Sequence, residues 1–530
     1  MYSGAQLMVN SLIEERVTTV FGYPGAAICP FYDALEPSGI RHVLVRQEQN
    51  AGHAASGYAR ASHTAGVCVA TSGPGATNLI TAIAAAYMDS IPIVAITGQV
   101  PTSLLGRDVF QEADITGACE SFTKHSYIVS SAAEIPRVFR EAFHIATTGR
   151  PGPVLIDVPV DIQNEMVDRF SYPKSVNIIG YKPNVTGHAV QLKKAMEALS
   201  SARRPLICAG GGVFLSDAAE ELRTLAEQAC LPAVCTMMGL GVFPVDHPLY
   251  LGMLGSFGAP AAQRAVAETD LLILCGARVG DRALRSSQLA AGAKVIHIDI
   301  DPAEIGKNLA VDIPIVGDLK QVLTALTAER PAAAPWIAAD KPQPVTPARL
   351  GFVNPQRLLC RLSERMAEGG IQTADVGQNQ IWAAKAFAVK NGRFLTSGGM
   401  GAMGYALPAA IGAKQCKPNA QVVAICGDGG FQMQMMELAT ALSVGADVKI
   451  IMLRNRRLGL VRELSNGSSD ELPAAVLDGD PDFIRLVESY GIPALRINND
   501  DACDAAIDAL LGSPGLFFLE VCIDPEQSTI

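Results

Sequence analysis

Residues 420–459, AQVVAICGDGGFQMQMMELATALSVGADVKIIMLRNRRLG, decide how the whole chain is read. Residues 421–426 form a short apolar run of the kind a buried parallel strand makes. The run stops at Gly427-Asp428-Gly429-Gly430, where small residues let the backbone turn sharply. A helical period follows, with Phe431, Met435, Leu438, Ala439 and Leu442 on one face, and residues 448–453 then read as a second buried strand running out at Asn455. In a right-handed crossover the ends of both strands lie on one carboxyl edge of the sheet, where open α/β sheets bind ligands. Asp428 and Asn455, 27 positions apart, offer one carboxylate and one neutral oxygen. Mg²⁺ suits such a pair because it takes few protein oxygens and completes its octahedron with phosphate and water. The N–H groups of Gly427, Gly429 and Gly430 at the start of the helix make a nest that favours phosphate. The combination points to a metal-bridged diphosphate. Taken alone, the tetrapeptide is also what an ordinary turn looks like, and Asn455 what a loop residue looks like, because short motifs match by chance.

Working outward, 530 residues are too many for one core, so two to four domains are expected. A hydrophobic fraction of 49% with 49 glycines and 2 tryptophans fits several glycine-punctuated α/β domains. Lys+Arg 42 against Asp+Glu 52 leaves a net charge of −10, with no basic run of the kind nucleic-acid partners require. No apolar stretch is long enough to span a bilayer, and the N-terminal MYSGAQLMVNSLIEERV reads as a helix and not a signal peptide, so a soluble, cytoplasmic protein is expected. The twelve cysteines, Cys68, Cys208, Cys275 and Cys426 among them, include no C-x-x-C pair and read as small buried hydrophobes in apolar strands. The eight histidines are scattered, with no zinc-type cluster.

Residues 1–165 alternate strands (17–21, 40–45, 67–71, 91–97, 154–158) with helices and form a first, mostly parallel α/β domain. Its turns are GYPGAA, containing Gly25, and Ser72-Gly73-Pro74-Gly75. Glu48 follows one strand end in RQEQNAGHAASGYARA. A lone Glu in a helix's first turn most often serves the helix dipole. After a linker-like stretch, residues 190–330 form a second α/β domain that opens on a strand meeting Gly210-Gly211-Gly212, with Arg278 and Arg282 further on. A glycine turn of this kind approaches a phosphate chain or simply packs domains. Residues 332–347, rich in Ala and Pro, read as a linker, and residues 348–530 form a third doubly wound domain.

The wording of these segments resembles the thiamine-diphosphate-dependent acetolactate synthase family, large catalytic subunit. GDG followed at a distance by Asn, RQEQNAGHAASGYARA, FGYPGAAICPFYDAL, ATSGPGATNLITAIA, DSIPIVAITGQV, GRDVFQEADITG, TKHSYIV and GRPGPVLIDVP all occur in the family's order, and the match covers nearly the whole chain. The resemblance implies thiamine diphosphate and Mg²⁺, with Asp428, Asn455 and Arg457 at the metal and Gly377, Gln378, Asn379, Gly427, Gly429 and Gly430 at the diphosphate. Glu48 touches N1′ of the aminopyrimidine ring. The Gly401 carbonyl accepts from the 4′-amino group, and Met403 wedges between the rings, although a Met in such a helix is more commonly core filler. Gly25, Phe110 and Gln111 complete the catalytic set, with Phe110 and Gln111 approaching a neighbouring subunit's cofactor. Arg150, Gly210, Gly211, Gly212, Arg278, Asp299 and Asp318 line an FAD that is structural or vestigial, since the chemistry needs no redox step.

The implied reaction decarboxylates pyruvate and adds the hydroxyethyl carbanion to a second 2-oxo acid. Pyruvate as acceptor gives 2-acetolactate, on the way to valine and leucine. A homodimer or tetramer places the active site between subunits, and a small regulatory subunit is a further possible partner. Several positions depart from the pattern: Gln47 for His, Ala26 for Gly, Val160 for the Lys of DVPKD, Asn379 for His, and Leu464 for the Trp of NNQYLGMVRQWQ, a Trp associated with choosing 2-oxobutanoate. The PMVPPG-like lid wording is missing near Ile530. Two alternatives stay open: another thiamine-diphosphate decarboxylase or carboligase with a different acceptor, and an inactive cofactor-binding regulatory paralogue.

Overall fold

The computed structural model describes residues 1–326, 334–340, 347–465 and 472–529. Three six-stranded sheets follow one another, and every pairing within them is parallel. Their central strands are short apolar runs buried on both faces, Ile93–Gln99 and Leu271–Cys275 along their whole length, because helices cover each sheet on both sides, while the edge strands Arg41–Leu44, His125–Ile128 and Ala494–Ile497 are partly exposed.

The first sheet contains β1 (Thr19–Tyr23), β2 (Arg41–Leu44), β3 (Gly66–Ala70), β4 (Ile93–Gln99), β5 (His125–Ile128) and β6 (Val154–Pro159), in the order β2-β1-β3-β4-β6-β5. The middle sheet contains β7 (Pro205–Ala209), β8 (Ala233–Cys235), β9 (Tyr250–Met253), β10 (Leu271–Cys275), β11 (Lys294–Asp299) and β12 (Ile313–Val316), in the order β9-β8-β7-β10-β11-β12. This is the 3-2-1-4-5-6 order of dinucleotide-binding folds. The last sheet contains β13 (Ile371–Ala374), β14 (Arg393–Thr396), β15 (Val422–Gly427), β16 (Val448–Arg454), β17 (Ala494–Ile497) and β18 (Phe517–Cys522). Its order, β14-β13-β15-β16-β18-β17, repeats that of the first sheet. In each sheet one gap separates strands whose connections run in opposite directions: β1/β3, β7/β10 and β13/β15. Crevices for ligands open there, at the carboxyl ends of the strands.

Within the chain, the first and third domains meet through the helices Glu48–Ser62 and Ala406–Cys416. Their crossing is closed by glycines on both sides: a Cβ on Gly57 would stand 2.0 Å from the Ala409 carbonyl oxygen, and one on Gly412 1.9 Å from that of Ala54. Buried Arg60 reinforces the contact by donating to the Thr396 carbonyl (2.7 Å).

Two sequence expectations are corrected. The helix read through residues 431–442 is two helices, Asp428–Gln432 and Glu437–Ser443. Between them Gln434 turns inward, donating to Asp375 Oδ2 (2.9 Å) and accepting from the Leu407 N–H (3.0 Å), so tertiary hydrogen bonds override the helical period. The cysteines are all free but not all buried, since Cys29 is exposed. Half of the 332–347 linker lies outside the described residues. In its described part the Trp336 indole donates to the Pro205 carbonyl (2.8 Å) and holds the segment against the middle domain.

Candidate active site

At the β13/β15 crevice, the residues just past three strand ends converge: Asp375 after β13, Asp428 after β15 and Asn455 after β16. Asp428 is 1% exposed, accepting from the N–H groups of Arg456 (2.6 Å) and Gly429 (3.0 Å). Burial nevertheless pushes its carboxyl up to about 7, and the nearby Asp480 carboxylate adds to the push. A carboxylate that burial disfavours this far is stabilised by a cation beside it. Among the described residues no three His, Cys, Asp or Glu side chains group as metal ligands, so a cation here would draw on one carboxylate with amide, carbonyl and ligand oxygens.

Asn455 donates to Gln378 Oε1 (3.0 Å) and accepts the Arg457 N–H on Oδ1 (3.1 Å). The Arg457 side chain is no ligand. A guanidinium carries no lone pair, and this one lies 3.7 Å from Glu526, so only the Arg457 carbonyl can serve a metal. Asn379 donates to the Asp375 carbonyl (2.6 Å), and its Oδ1 lies 2.8 Å and 3.2 Å from where side chains would begin on Gly377 and Gly427. Those two glycines clear the space the Asn379 side chain occupies. Gly401 (φ +68°) and Met403 sit on the loop before Ala406–Cys416. Asp375 fixes that loop by accepting from the N–H groups of Gly404 (3.0 Å) and Ala406 (3.2 Å). Burial pushes Asp375 up to about 6 against these bonds. The Met403 methyl lies 3.5 Å from the Cβ position of Gly429, and a Cβ on Gly430 would stand 2.7 Å from Asp375 Oδ1.

At the β1/β3 crevice the pattern is steric. Side chains on Gly25 and Gly75 would begin 2.5 Å and 2.7 Å from the Thr71 methyl, and the Gly75 position is 3.5 Å from Glu48 Oε1. Glu48 accepts from Asn78 Nδ2 (2.9 Å). Gln111 (φ +60°) places its backbone against Gly73, and Phe110 beside it is 88% exposed. Gly25, Glu48 and Gln111 are thus gathered at one crevice, while Phe110 points out. Among the described residues no hydrogen bond or ion pair joins Glu48 to Asp428 or Asn455. One link between the two domains is Glu437, which accepts from the Arg46 N–H and Asn50 Nδ2, each at 2.9 Å.

The β7/β10 crevice opens into a cavity of about 1080 Å³ lined by Arg150, Gly211, Gly212, Arg278, Asp299 and Asp318, and reaching Gly401 and Leu464. Gly210 is not on its wall: a Cβ there would stand 2.1 Å from the Gly276 carbonyl oxygen, so its role is close backbone packing. Arg150 pairs with Glu304 (2.7 Å). Arg278 makes no hydrogen bond or ion pair through its guanidinium among the described residues, and burial together with Arg150 holds it below its ordinary range. Asp318 caps the Leu319–Ala325 helix, and burial raises Asp299 to about 6.

Three family models match in chain order: "Thiamine pyrophosphate enzyme, N-terminal TPP binding domain" over residues 2–118, the central domain over 192–326, and the C-terminal TPP binding domain over 375–521. A "Probable acetolactate synthase large subunit" from Methanocaldococcus jannaschii is 47% identical, covering 99% of this chain and 92% of the relative. An "Acetolactate synthase" from Arthrospira platensis (43%; 99% and 95%) and the "Acetolactate synthase isozyme 2 large subunit" of Escherichia coli (43%; 98% and 96%) agree with it.

The chain belongs to the acetolactate synthase family of thiamine pyrophosphate enzymes.

In this thiamine pyrophosphate enzyme, both TPP-binding regions contain a glycine-lined crevice at the same place in the strand order. Sequence reasoning missed Asp375, Gln434, Glu437 and Glu463. Asp375 alone carried a local signal, an acid at the end of an apolar strand just before Gly377. The others act on partners far away in the chain, Gln434 on Asp375 across 59 residues. No helix among the described residues is long and apolar enough to cross a membrane.

Proposed function

We propose that this chain is the catalytic subunit of a cytoplasmic acetolactate synthase that decarboxylates pyruvate and condenses the two-carbon unit with a second 2-oxo acid, giving 2-acetolactate when the acceptor is pyruvate. The observation that carries this reading is Asp428, a buried carboxyl held above its range at the mouth of a glycine nest, in a chain of this family. Asp428, Asn455 Oδ1 and the Arg457 carbonyl would hold Mg²⁺. The glycine N–H groups and the Gly377-Gln378-Asn379 turn would take the diphosphate. When bound, thiamine diphosphate supplies the carbanion that adds to the keto carbon and holds the electrons released with CO₂.

The protein's own residues position, exclude water and move protons. Glu48, steadied by Asn78, would hold the proton exchanged with the aminopyrimidine, the Gly401 carbonyl would accept from its amino group, and Met403 would pack against the cofactor. Since among the described residues no hydrogen bond or ion pair joins Glu48 to Asp428 or Asn455, and Phe110 is 88% exposed, the working unit is a homodimer or tetramer with each site shared between subunits. The relatives named as large subunits support a small regulatory subunit as a further partner.

The large cavity fits FAD. Its volume suits a dinucleotide, and Arg278, half-buried beside a second arginine and without a hydrogen-bonded or ion-paired guanidinium among the described residues, suits a diphosphate. The same cavity carries Leu460 and the half-exposed Leu464, an apolar wall that favours a second reading: a carboligase with a larger, less polar acceptor. Incubation of the full chain with pyruvate, Mg²⁺ and thiamine diphosphate, with CO₂ and product followed together, separates them. Acetolactate formed only with the cofactor supports the first reading, CO₂ without acetolactate supports the second, and no turnover of pyruvate by the cofactor-bound protein overturns the first.

A further inference from the structure

An asparagine that ligates a cation has a problem of direction. Its amide has one oxygen and one nitrogen of nearly equal size, and only the oxygen has lone pairs to offer. Asn455 Nδ2 donates to Gln378 Oε1 (3.0 Å), which turns Oδ1 the other way, to the Arg457 N–H and the Asp428 side of the crevice. Gln378 is itself an amide with the same ambiguity. Its Nε2, however, donates to two groups, Glu463 Oε1 (2.6 Å) and the Gln527 carbonyl (2.8 Å). An ionised carboxylate and a peptide carbonyl accept only, so with both on one side the Gln378 oxygen has to face Asn455.

Glu463 is in turn held by the C-terminal segment. Thr529, 2% exposed, donates its N–H to Oε1 (2.8 Å) and its hydroxyl to Oε2 (2.6 Å), while its carbonyl accepts from Lys385 (2.5 Å). The backbone is shaped around this relay. A Cβ on Gly459 would stand 1.9 Å from Gln378 Oε1 and 2.8 Å from Asn455 Nδ2, so the hydrogen bond between the two amides fills the place of a side chain.

We propose that Glu463, docked by Thr529, is a positioning residue that fixes the Asn455 amide through Gln378 and so presents its oxygen to the divalent cation. The inference rests on the reading of Asn455 as a metal ligand. The arrangement fixes the direction of both amides through hydrogen bonds of this chain's own residues. It couples docking of the C-terminal segment to cation affinity.

The test is a Mg²⁺ titration at saturating thiamine diphosphate, read by calorimetry and by activity, on the full chain and on Glu463→Gln and Thr529→Val. Glu463→Gln keeps the shape and removes the acceptor-only end. The half-saturating Mg²⁺ concentration is expected to rise on the order of tenfold, as for other residues behind a ligand, with kcat at saturating Mg²⁺ and the thermal midpoint of the cofactor-free protein unchanged. Thr529→Val shifts it the same way by less. In an Asn455→Asp background, whose two oxygens are equivalent, the added cost of Glu463→Gln disappears. An unchanged Mg²⁺ requirement in both single variants, or an equal cost in both backgrounds, overturns the inference. A wild-type protein that binds thiamine diphosphate without needing Mg²⁺ overturns the metal reading instead.

Discussion

The first and third sheets share one strand order and place their functional residues at equivalent crevices, but the two crevices are finished by different means. Around Thr71 the first is cleared by the absence of side chains on Gly25 and Gly75, and Glu48 stands in it with one hydrogen bond from Asn78. The third is a buried polar hub: Asp375, Gln378, Asn379, Asp428, Gln434 and Asn455 lie between 0% and 7% exposed and bond to one another or to nearby backbone. The difference follows from the tasks. A group that exchanges protons with a ligand has to stay reachable, whereas charge stabilisation is strongest from groups fixed in advance in a dry site. One half is therefore fixed in advance by buried hydrogen bonds, and the other stays open.

The largest expected effect comes from breaking the preformed half. Asp428→Asn should abolish Mg²⁺-dependent cofactor binding in calorimetry, and turnover with it. The same change should stabilise the cofactor-free protein. The Asp428 pKa is raised from 3.8 in the unfolded chain to about 7, so its charge opposes folding increasingly from pH 4 to pH 7 and fully above. The thermal midpoint of Asp428→Asn should exceed that of the wild type at pH 8 and match it near pH 4. Glu48→Gln attacks the open half. It should lower kcat about 10²–10⁴-fold while leaving Mg²⁺ and thiamine diphosphate binding intact, and a loss of binding there would erase the contrast between the halves.

Gly57→Ala tests whether the halves depend on their shared helix crossing. A methyl 2.0 Å from the Ala409 carbonyl should cost about 1–3 kcal/mol in chemical denaturation, from overpacking. Smallest is the pH effect. Because Asp428 has to lose its proton to bind metal, the apparent Mg²⁺ affinity should fall as pH drops below about 7, by at most about tenfold per unit, in titrations of cofactor binding.

Much of this was legible in the amino-acid sequence, for reasons local to it. Apolar runs ending in Gly-Asp-Gly-Gly or Ser-Gly-Pro-Gly announce parallel strands feeding ligand turns, because burial on two faces and a sharp backbone turn each demand particular residue types over a few positions. Alternation of strand and helix set the α/β class, whereas Glu48 was marked out by the family resemblance of RQEQNAGHAASGYARA and not by its position, which suits a helix dipole equally well. The break at Gln434 was not legible, since a helical period carries no sign that one side chain will leave it for Asp375. The Arg457 side chain, by contrast, is set aside by residue type alone, because a guanidinium has no lone pair to offer a metal.

By itself the sequence determined which residues sit at strand ends, which turns are free of side chains and which class of fold results. Tertiary structure alone decided that the outer sheets share one strand order while the middle one differs, that Asp428, Asn455, Gln378 and Glu463 form a single directed chain, and that Gly210 packs while its neighbours line a cavity. The physical reason is range. Propensity and pattern act over a few residues, whereas the direction of an amide or the protonation of a buried carboxyl is set by groups brought together from 50 to 150 residues away.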